Sequence, residues 1–442
     1  MVVEMSEIPC CTTDSITPEQ DGKTIRLKGW VEEIRDLGGI SFILLRDGYG
    51  TAQVTILKKA PQEIREAVKG LSRESVVEVE ASIKKSDKAK RGVELLPSRL
   101  AVLSRAETPL PMGVVDKVEV ETDTRFDNRF MDLRRKERGL VFRVRSQMSL
   151  ILRQVLAEMK FIEVNTPKIV SEGAEGGATL FNVDYFGKKA YLAQSPQLYK
   201  QMLMASGLNR IYEIAPVYRA EPSDTVRHVA EYVSFDAEMA FIDGMEDVLA
   251  VLEEIMSSTL AKTAEFFREE IENSGYVVPS APKRPFPRLR YAECLEMLAG
   301  EGRKVRDGDD IDTEGEKVIG SLMREKGHDM YFITMYPAAI KPFYIMEEEN
   351  SPYSYSFDLE YTGQEMASGG QREHRYSRLV NRMESKNLNP AGFEFYLKSF
   401  RYGMPPHGGW GLGTERLVSM FLSLGNLREA ILFPRDRVRL VP

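Results

Sequence analysis

One predicted β-hairpin concentrates charged side chains that could bind an anionic ligand. Arg219 ends its first strand, Asp236 and Glu238 lie on the return strand, and Arg227 and His228 fall between the two. A charge inside an apolar strand costs free energy unless it is paired or binds a ligand. A structural salt bridge would explain any one of these residues, but so many in one hairpin favour a binding site.

A second candidate segment is rich in glycine and ends in an arginine. It spans residues 408–417, with Arg416 near its end. The pattern predicts a strand that opens into an amphipathic helix over residues 417–424. Because glycine has no Cβ, such a strand allows the backbone to approach a nucleotide closely. A glycine-rich run alone is weak support for a site, and the arginine at the helix start makes the signal more specific.

Two shorter segments carry weaker signals. Residues 173–177 make a glycine-rich stretch that is either a surface loop, the usual interpretation, or a lid that closes over a substrate. Residues 194–201 predict the start of a helix, because Pro196 suits the first helical position. On this pattern alone, Lys200 in that helix could equally face solvent.

Three carboxylates flank a predicted tight turn. Asp358 and Glu360 precede the turn at residues 362–363, and Glu365 follows it. If this turn is a two-residue hairpin, Glu365 pairs with Glu360 on the face that also holds Asp358. Oxygen ligands of this kind suit Mg²⁺, although an exposed charged face is the more common explanation.

The composition limits the class of protein. The 442 residues are 43% hydrophobic and 29% charged, with a formal net charge of −7. This is typical of a globular protein and argues mildly against non-specific coating of nucleic acid. No stretch reaches the roughly 20 apolar residues of a membrane span, and the first residues lack the basic cluster of a secretory signal. Three cysteines are too few for a disulfide framework or zinc site. We therefore expect a soluble, cytoplasmic protein.

The apolar pattern divides the chain into parts. Residues 24–57, 76–83 and 93–103 predict five strands, with a helix over 61–70. This is the content of a small barrel of the OB type, a common reader of single-stranded nucleic acid. We predict that this domain spans 1–105, that 106–138 form a charged linker, and that 139–442 form a larger domain. Within it, residues 265–312 are rich in proline and glycine and are predicted to be an insertion.

Together these segments resemble the signature motifs of the class II aminoacyl-tRNA synthetases, and in detail the aspartyl enzymes of the archaeal and eukaryotic type. The first motif matches residues 161–167, the second matches the Arg219 hairpin, and the third matches residues 411–416. The likeness extends from the barrel to residues 432–436 and so covers nearly the whole chain. It implies an α+β protein, in which an OB-type β-barrel precedes a large catalytic domain built on an antiparallel sheet.

The resemblance also implies an activity. We expect the chain to activate aspartate with ATP as aspartyl-adenylate and to transfer the aspartyl group to tRNA-Asp, and charging of tRNA-Asn is an open alternative. By the same resemblance the enzyme uses Mg²⁺ and is a homodimer, since the first motif helps to build the dimer interface in the family.

The resemblance further assigns roles to individual residues. The implied ATP-binding set is Arg219, Glu221, Arg227, His228, Tyr232, Glu365, Gly413, Glu415 and Arg416, of which Arg219, Glu365 and Arg416 are the expected catalytic residues. The implied aspartate-binding set is Glu175, Gln197, Lys200, Arg219, Asp236, Ser368 and Arg372. The expected metal-side residues are Asp358, Glu365 and Ser368. The residues expected to contact the anticodon are Arg35, Phe42, Gln53 and Lys90.

Two alternatives stay open beside this interpretation. One is an asparaginyl enzyme, which usually lacks the pattern that runs from Ser195 to Lys200; its presence here favours aspartate. The other is a non-catalytic RNA-binding relative, which need not keep the arginines of the site. Whether tRNA-Asn is also charged is left undecided by the sequence: Lys90 matches enzymes that discriminate strictly, whereas Glu32 stands where those enzymes have an aromatic residue.

Overall fold

A computed structural model describes residues 8–89, 91–115, 119–173, 179–220 and 229–442. The chain forms two compact units, Met1–Arg135 and Lys136–Pro442. In the described parts of both units, no helix is at once long and apolar enough to cross a membrane.

The first unit is a barrel of β-strands. Its elements are β1 (Cys10–Cys11), β2 (Thr24–Asp36), β3 (Ile40–Arg46), β4 (Thr51–Leu57), α1 (Gln62–Lys69), β5 (Val76–Lys85) and β6 (Val93–Ser104). The strand order is β1-β2-β3-β4-β6-β5, and β5 also pairs with β2, which closes the sheet on itself. All five predicted strands and the predicted helix are therefore present, and the expectation of an OB-type barrel is confirmed.

The barrel is closed around an apolar interior because its strands alternate. Ile43 and Leu45 of β3, for example, are fully buried, and so is Val54 of β4, whereas Phe42 and Gln53 are only partly buried. Successive side chains of a strand point to opposite faces, so the partly buried residues form the outer face.

The segment after β6 contacts the barrel through charged side chains. It contains the short helices α2 (Thr122–Asp127) and α3 (Arg129–Asp132). Arg134 donates to Glu74 at 2.8 Å and lies 5.0 Å from the centre of the Trp30 ring. The boundary between the two units, after Arg135, falls inside the segment predicted as a linker.

The second unit contains a large sheet of eight strands and a small sheet of three strands. Its strands are β7 (Ile162–Glu163), β8 (Ile169–Val170), β9 (Asn182–Tyr185), β10 (Lys188–Leu192), β11 (Arg210–Tyr218), β12 (Glu231–Ala240), β13 (Arg288–Arg290), β14 (Met330–Thr334), β15 (Ser356–Tyr361), β16 (Glu365–Gln371) and β17 (His407–Gly413). The large sheet has the order β13-β14-β15-β16-β17-β12-β11-β7, and β8, β10 and β9 form a separate small sheet. Only the edge pairs β13–β14 and β11–β7 are parallel, which confirms the expected antiparallel sheet.

Eight helices accompany this sheet in the described residues. They are α4 (Lys136–Glu158), α5 (Gln197–Met204), α6 (Met245–Ser274), α7 (Tyr291–Gly300), α8 (Thr313–Glu325), α9 (Tyr376–Ser385), α10 (Glu394–Arg401) and α11 (Thr414–Phe421). The predicted insertion, 265–312, contains the end of α6, β13 and α7.

The main core lies between one face of the large sheet and the helices α4, α6 and α11. Phe235 and Ala237 of β12 enter this core together with Trp410 and Leu412 of β17. Because side chains alternate along a strand, the residues between them point to the opposite face of the sheet. That face holds the charged residues of the site.

Candidate active site

A cavity of 370 Å³ opens on the face of the large sheet that is turned away from the main core. Nine of the residues implied by the resemblance line it: Gln197, Arg219, Tyr232, Asp236, Glu365, Ser368, Gly413, Glu415 and Arg416. Three more implied residues, Lys200, Arg372 and Asp358, do not line the cavity. Lys200 contacts Asp236 of the cavity wall, and Arg372 contacts Glu238 of the same strand. Asp358 pairs with Ser368 of the cavity wall. Glu175, Glu221, Arg227 and His228 lie outside the described residues, as does Lys90 of the barrel.

Two carboxylates of β12 face the cavity side of the sheet. Asp236 lines the cavity and is 3% exposed, and Glu238 lies behind it and is fully buried. Asp236 accepts hydrogen bonds from Lys200 through Oδ1 and from Ser234 through Oδ2. The alternation of apolar and charged residues in 235–239 thus sends the apolar side chains into the core and the acidic ones to the site.

Glycine in β17 makes room for these carboxylates. A Cβ built on Gly409 would lie 2.4 Å from Glu238 Oε2, and one on Gly411 would lie 3.1 Å from Asp236 Oδ1. At Gly411 the atoms that approach closely belong to the Asp236 carboxylate, and at Gly409 they are the Glu238 carboxylate and the carbonyl oxygen of Ala237, which would lie 2.0 Å from a Cβ. At Gly413, a Cβ would meet the Tyr232 ring at an ordinary 3.8 Å.

Lys200 and Arg372 share the buried carboxylate of Glu238. Lys200 Nζ lies 3.1 Å from Asp236 Oδ1 and 3.3 Å from Glu238 Oε2, and it donates to the carbonyl of Trp410 at 2.8 Å. Arg372 donates to Glu238 through Nε at 2.9 Å and Nη2 at 3.3 Å. Burial alone would raise the pKa of Glu238, but the two cations hold it below its usual value. Two buried cations therefore meet two buried carboxylates, and the set is neutral.

The other end of the cavity holds charges that are open to solvent. Arg416 and Glu365 have side chains that are 39% and 42% exposed, with Nη1 and Oε1 3.6 Å apart. Arg416 also donates to the backbone carbonyl of Glu365 at 2.6 Å. Arg219 lines the same region, and its guanidinium carbon lies 5.8 Å from the centre of the Tyr232 ring. This end can bind an anion and a planar ring together.

Glu365 has the pairing that the sequence predicts. Glu360 pairs with Glu365 in the β15–β16 ladder, and the intervening Thr362 and Gly363 have positive φ values of 52° and 78°, as a two-residue hairpin turn requires. One extra residue, Met366, lies between Glu365 and Ala367, which pair with successive residues of β15. Such a bulge redirects the neighbouring side chain, and Glu365 points into the cavity.

Asp358 and Ser368, which pair directly across β15 and β16, are candidates for holding a metal ion beside Glu365. Asp358 Oδ2 accepts from Lys341 at 2.8 Å, whereas Oδ1 is buried and accepts no hydrogen bond from the described residues. Although solvent reaches the Glu365 side chain through the cavity, the protein that encloses it and the charge of Asp358 raise the pKa of Glu365. An orphaned carboxylate oxygen beside a second carboxylate fits a hard cation. The described residues do not, however, include a cluster of three or more His, Cys, Asp or Glu at ligand spacing.

Glu415 lines the cavity, but its carboxylate forms hydrogen bonds that stabilise the fold. It is 2% exposed, and its carboxylate accepts from the backbone N–H of Val233 at 3.1 Å and from Arg145 at 2.6 Å. These bonds tie the first turn of α11 to β12 and α4. The helix begins at Thr414, three residues before the predicted start, so Arg416 lies within its first turn.

The sequence did not reveal two residues of the site. Glu238 was noted for its charge, yet its place between Lys200 and Arg372 depends on contacts with α5 and with the residue that follows β16, which are distant in the chain. Lys341, which pairs with Asp358, follows an apolar stretch without any recognisable motif. No local pattern would have found it.

The barrel brings the described anticodon candidates onto one face. Arg35 pairs with Phe42 across β2 and β3, and Phe42 pairs with Thr55 of β4. Gln53 Nε2 lies 3.4 Å from the hydroxyl of Thr55. Arg35 is exposed and paired with Glu33 at 2.7 Å.

Comparison with known families and structures finds the same two parts. Residues 25–103 match the family described as OB-fold nucleic acid binding domain, and residues 121–437 match tRNA synthetases class II (D, K and N). The chain is 50% identical over 433 residues to an aspartate–tRNA(Asp) ligase of Pyrococcus horikoshii, covering 97% of this chain and 99% of that protein.

Two further similar proteins are a second aspartate ligase and an asparaginyl enzyme. An aspartate–tRNA(Asp/Asn) ligase of Methanopyrus kandleri is 48% identical over 431 residues, covering 97% of this chain and 99% of that protein. The structure of the asparaginyl-tRNA synthetase of Pyrococcus horikoshii complexed with asparaginyl-adenylate has a TM-score of 0.88 at 34% identity, covering 99% of this chain and 100% of that one.

Proposed function

Because the chain belongs to the class II tRNA synthetases of the D, K and N group, we propose that it is an aspartate–tRNA ligase that forms aspartyl-adenylate from aspartate and ATP and transfers the aspartyl group to tRNA. The observation that carries this proposal is the neutral set of Lys200, Arg372, Asp236 and Glu238 at one end of the cavity. The greater identity to aspartate ligases than to the asparaginyl enzyme agrees with it.

The neutral set favours a carboxylate over an amide. Arg372 uses Nε and Nη2 on Glu238, and among the described residues its Nη1 has no hydrogen-bond partner. Without Lys200 the set would carry a net negative charge and repel an acidic side chain. With Lys200 present, the two carboxylates are balanced by two cations, and Arg372 Nη1 is left to bind the side-chain carboxylate of aspartate.

The open end of the cavity suits ATP. In the first step, an oxygen of the aspartate α-carboxylate forms a bond to the α-phosphorus, the bond from that phosphorus to the bridging oxygen breaks, and pyrophosphate leaves. Arg219 neutralises the charge that builds up on the α-phosphate, and Tyr232 with Arg416 holds the adenine ring. In the second step, a terminal ribose hydroxyl of tRNA attacks the aspartyl carbonyl carbon and AMP leaves.

Asp358, Glu365 and Ser368 would hold Mg²⁺ in this account. The bound ion supplies positive charge to the phosphates of ATP. Lys341 donates to Asp358 Oδ2, and the buried Oδ1 accepts no hydrogen bond from the described residues. The pKa of Glu365 is raised next to Asp358, and a cation held by these residues would stabilise the charged form of both carboxylates.

The outer face of the barrel is proposed to bind the anticodon. Phe42 offers a half-buried aromatic surface for base stacking, with Arg35 and Gln53 beside it as donors. The relatives include an aspartate–tRNA(Asp) ligase at 50% identity and an aspartate–tRNA(Asp/Asn) ligase at 48% identity, and a charging assay with both tRNAs decides between these two substrate ranges. We also propose a cytoplasmic location, since the three cysteines are unpaired.

A homodimer is proposed through the edge strand β7. Ile162 of β7 is 48% exposed, and Leu150 of α4 and Ile169 of β8 are exposed to a similar degree. β7 ends the eight-stranded sheet, and an apolar sheet edge needs cover. Analytical ultracentrifugation tests this: we expect a dimer, and a monomer at micromolar concentration would refute it.

ATP–pyrophosphate exchange tests the proposed reaction without tRNA. We expect exchange that depends on aspartate and is about a hundredfold slower with asparagine at equal concentration, which is the upper end of what one charged hydrogen bond contributes. Exchange with asparagine alone would identify an asparaginyl enzyme. No exchange with either amino acid would support a non-catalytic protein.

A further inference from the structure

Four buried polar side chains form a continuous chain of hydrogen bonds behind the amino-acid end of the cavity. They are Gln197 and Gln201 of α5, Tyr396 of α10 and His407 of β17, and none is more than 4% exposed. Of the four, only Gln197 lines the cavity. Burying so many polar atoms is costly unless each finds its partner, so the direction of every bond in the chain can be worked out.

The His407 ring determines which group donates and which accepts in these hydrogen bonds. Its Nδ1 lies 2.8 Å from the carbonyl oxygen of Pro405, which can only accept, so Nδ1 carries the proton. Burial lowers the pKa of His407 to about 4, and the ring is neutral at pH 7. Its Nε2 is therefore a bare acceptor, and it must accept from the Gln201 amide nitrogen 3.0 Å away.

The orientation of the Gln201 amide in turn determines the orientation of the Gln197 amide. Since its amide nitrogen donates to His407, its Oε1 points the other way, where it accepts from Gln197 Nε2 at 3.0 Å and from the Tyr396 hydroxyl at 3.1 Å. Burial raises the pKa of Tyr396 well above its usual value, so the hydroxyl remains a donor. Each bond in the chain has one donor and one acceptor only in this arrangement.

Gln197 consequently turns its carbonyl oxygen towards the cavity. Its amide nitrogen is held by Gln201, and among the described residues Gln197 Oε1 accepts no hydrogen bond. The cavity wall beside it includes the carboxylate of Asp236 and the hydroxyl of Ser195. An oxygen without a donor next to a carboxylate suits a cationic group with several N–H donors, which on an amino acid is the α-ammonium group.

We propose that His407, acting through Gln201, is a positioning residue that makes Gln197 present a carbonyl oxygen, rather than an amide nitrogen, to the ammonium group of the amino-acid substrate. The proposal rests on the proposed function for the nature of the ligand. It assigns to His407, Gln201 and Tyr396 a role in recognising the ammonium group, and none in recognising the side-chain carboxylate.

The test compares aspartate with succinate, which keeps both carboxylates and lacks the ammonium group. Binding of each is measured by titration calorimetry to the full-length wild type, to Gln201→Met and to His407→Leu. The matched control is Thr263→Val, which removes another buried hydrogen bond in α6. We expect both site variants to bind aspartate about tenfold more weakly, the lower end of the effect of one charged hydrogen bond, and to bind succinate within twofold of the wild type.

His407→Gln provides the rescue. Its amide oxygen can accept from Gln201 in place of Nε2, so aspartate binding is expected to recover most of the tenfold loss. If Gln201→Met fails to fold, the pair His407→Leu and His407→Gln still decides the question. Equal weakening of aspartate and succinate, or no weakening of either, would overturn the proposal, and so would a wild type that binds succinate as tightly as aspartate.

Failure of the proposed function can be recognised separately. A wild type that prefers aspartate to succinate but shows no aspartate-dependent ATP–pyrophosphate exchange would refute the ligase reaction. The preference for the ammonium group and its loss in the variants would still support the role of His407.

Discussion

The two ends of the cavity use charge in opposite ways. At the amino-acid end, the side chains of Lys200, Arg372, Asp236 and Glu238 are at most 4% exposed and are joined by contacts of 2.9 to 3.3 Å. At the phosphate end, Arg416 and Glu365 are 39% and 42% exposed and 3.6 Å apart. At the amino-acid end the charges are buried and paired with one another before a ligand binds. At the phosphate end the charges remain partly exposed to solvent.

The difference follows from what each end must recognise. ATP carries several negative charges, and cations that remain in contact with solvent can bind it at a small cost of desolvation. Aspartate differs from asparagine by a single charge, and discrimination requires a dry, fixed arrangement. A buried ion pair contributes little net stability, but breaking it is costly because it leaves a charge buried alone. Substitutions at the two ends should therefore have different consequences.

Glu238→Ala should cause the largest effect, and it should be an effect on stability. The change leaves Arg372 without its buried partner, and we expect the free energy of unfolding to fall by about 3–5 kcal/mol. Urea denaturation measures it, with Glu314→Ala on the exposed face of α8 as the control, since its side chain is 62% exposed. A loss below 1 kcal/mol would mean that the amino-acid end is not held by this carboxylate.

Arg219→Ala should leave the fold intact and remove activity. Loss of a cation that stabilises the transition state lowers the rate on the order of 10²–10³. ATP–pyrophosphate exchange measures this loss, and the unfolding temperature should shift by no more than that of Arg306→Ala, a control whose side chain is 83% exposed. Near-normal exchange would contradict the role of Arg219, and a large drop in unfolding temperature would contradict the contrast between the ends.

Lys200→Met should affect aspartate binding at one end of the cavity more than ATP binding at the other, and one kinetic experiment measures both. The substitution removes a positive charge while keeping most of the side-chain volume, and the buried set becomes negative. We expect the KM for aspartate to rise roughly ten- to a hundredfold and the KM for ATP to change less than twofold. Equal losses for both substrates would show that Lys200 supports the cavity as a whole.

The pH dependence of stability should report the buried end through His407. Its pKa falls from 6.5 to about 4 on folding, so above pH 6.5 the ring is neutral in both states and has no effect. As the pH falls from 6.5 towards 4, only the unfolded chain takes up the proton, and stability decreases by about 2 kcal/mol at pH 5. His407→Gln should lose this part of the decrease in urea denaturation; identical pH profiles would contradict the assignment.

The sequence was sufficient for the parts of the site that depend on local patterns. The register of Glu360 with Glu365 could be predicted because a two-residue turn at 362–363 permits only one pairing. Arg219 and Asp236 were placed in one hairpin by the strand patterns on either side of a loop, and both line the cavity. The barrel was likewise predicted from the local patterns of its five strands.

The parts that were missed depend on contacts distant in sequence or on polar helix starts. Glu238 meets Arg372 across 134 positions, and Gln201 meets His407 across 206. No single-sequence pattern encodes such pairs. The start of α11 was placed three residues late because the apolar periodicity begins only at Leu417, whereas Thr414 and Glu415 begin the helix through bonds to Val233.

Charging of purified tRNA-Asp and tRNA-Asn with labelled aspartate and, separately, labelled asparagine tests the central claim most directly. The account predicts that aspartate is attached to tRNA-Asp; additional charging of tRNA-Asn would mark an enzyme that does not discriminate, and its absence a strict one. Attachment of asparagine to tRNA-Asn without any transfer of aspartate would contradict the claim.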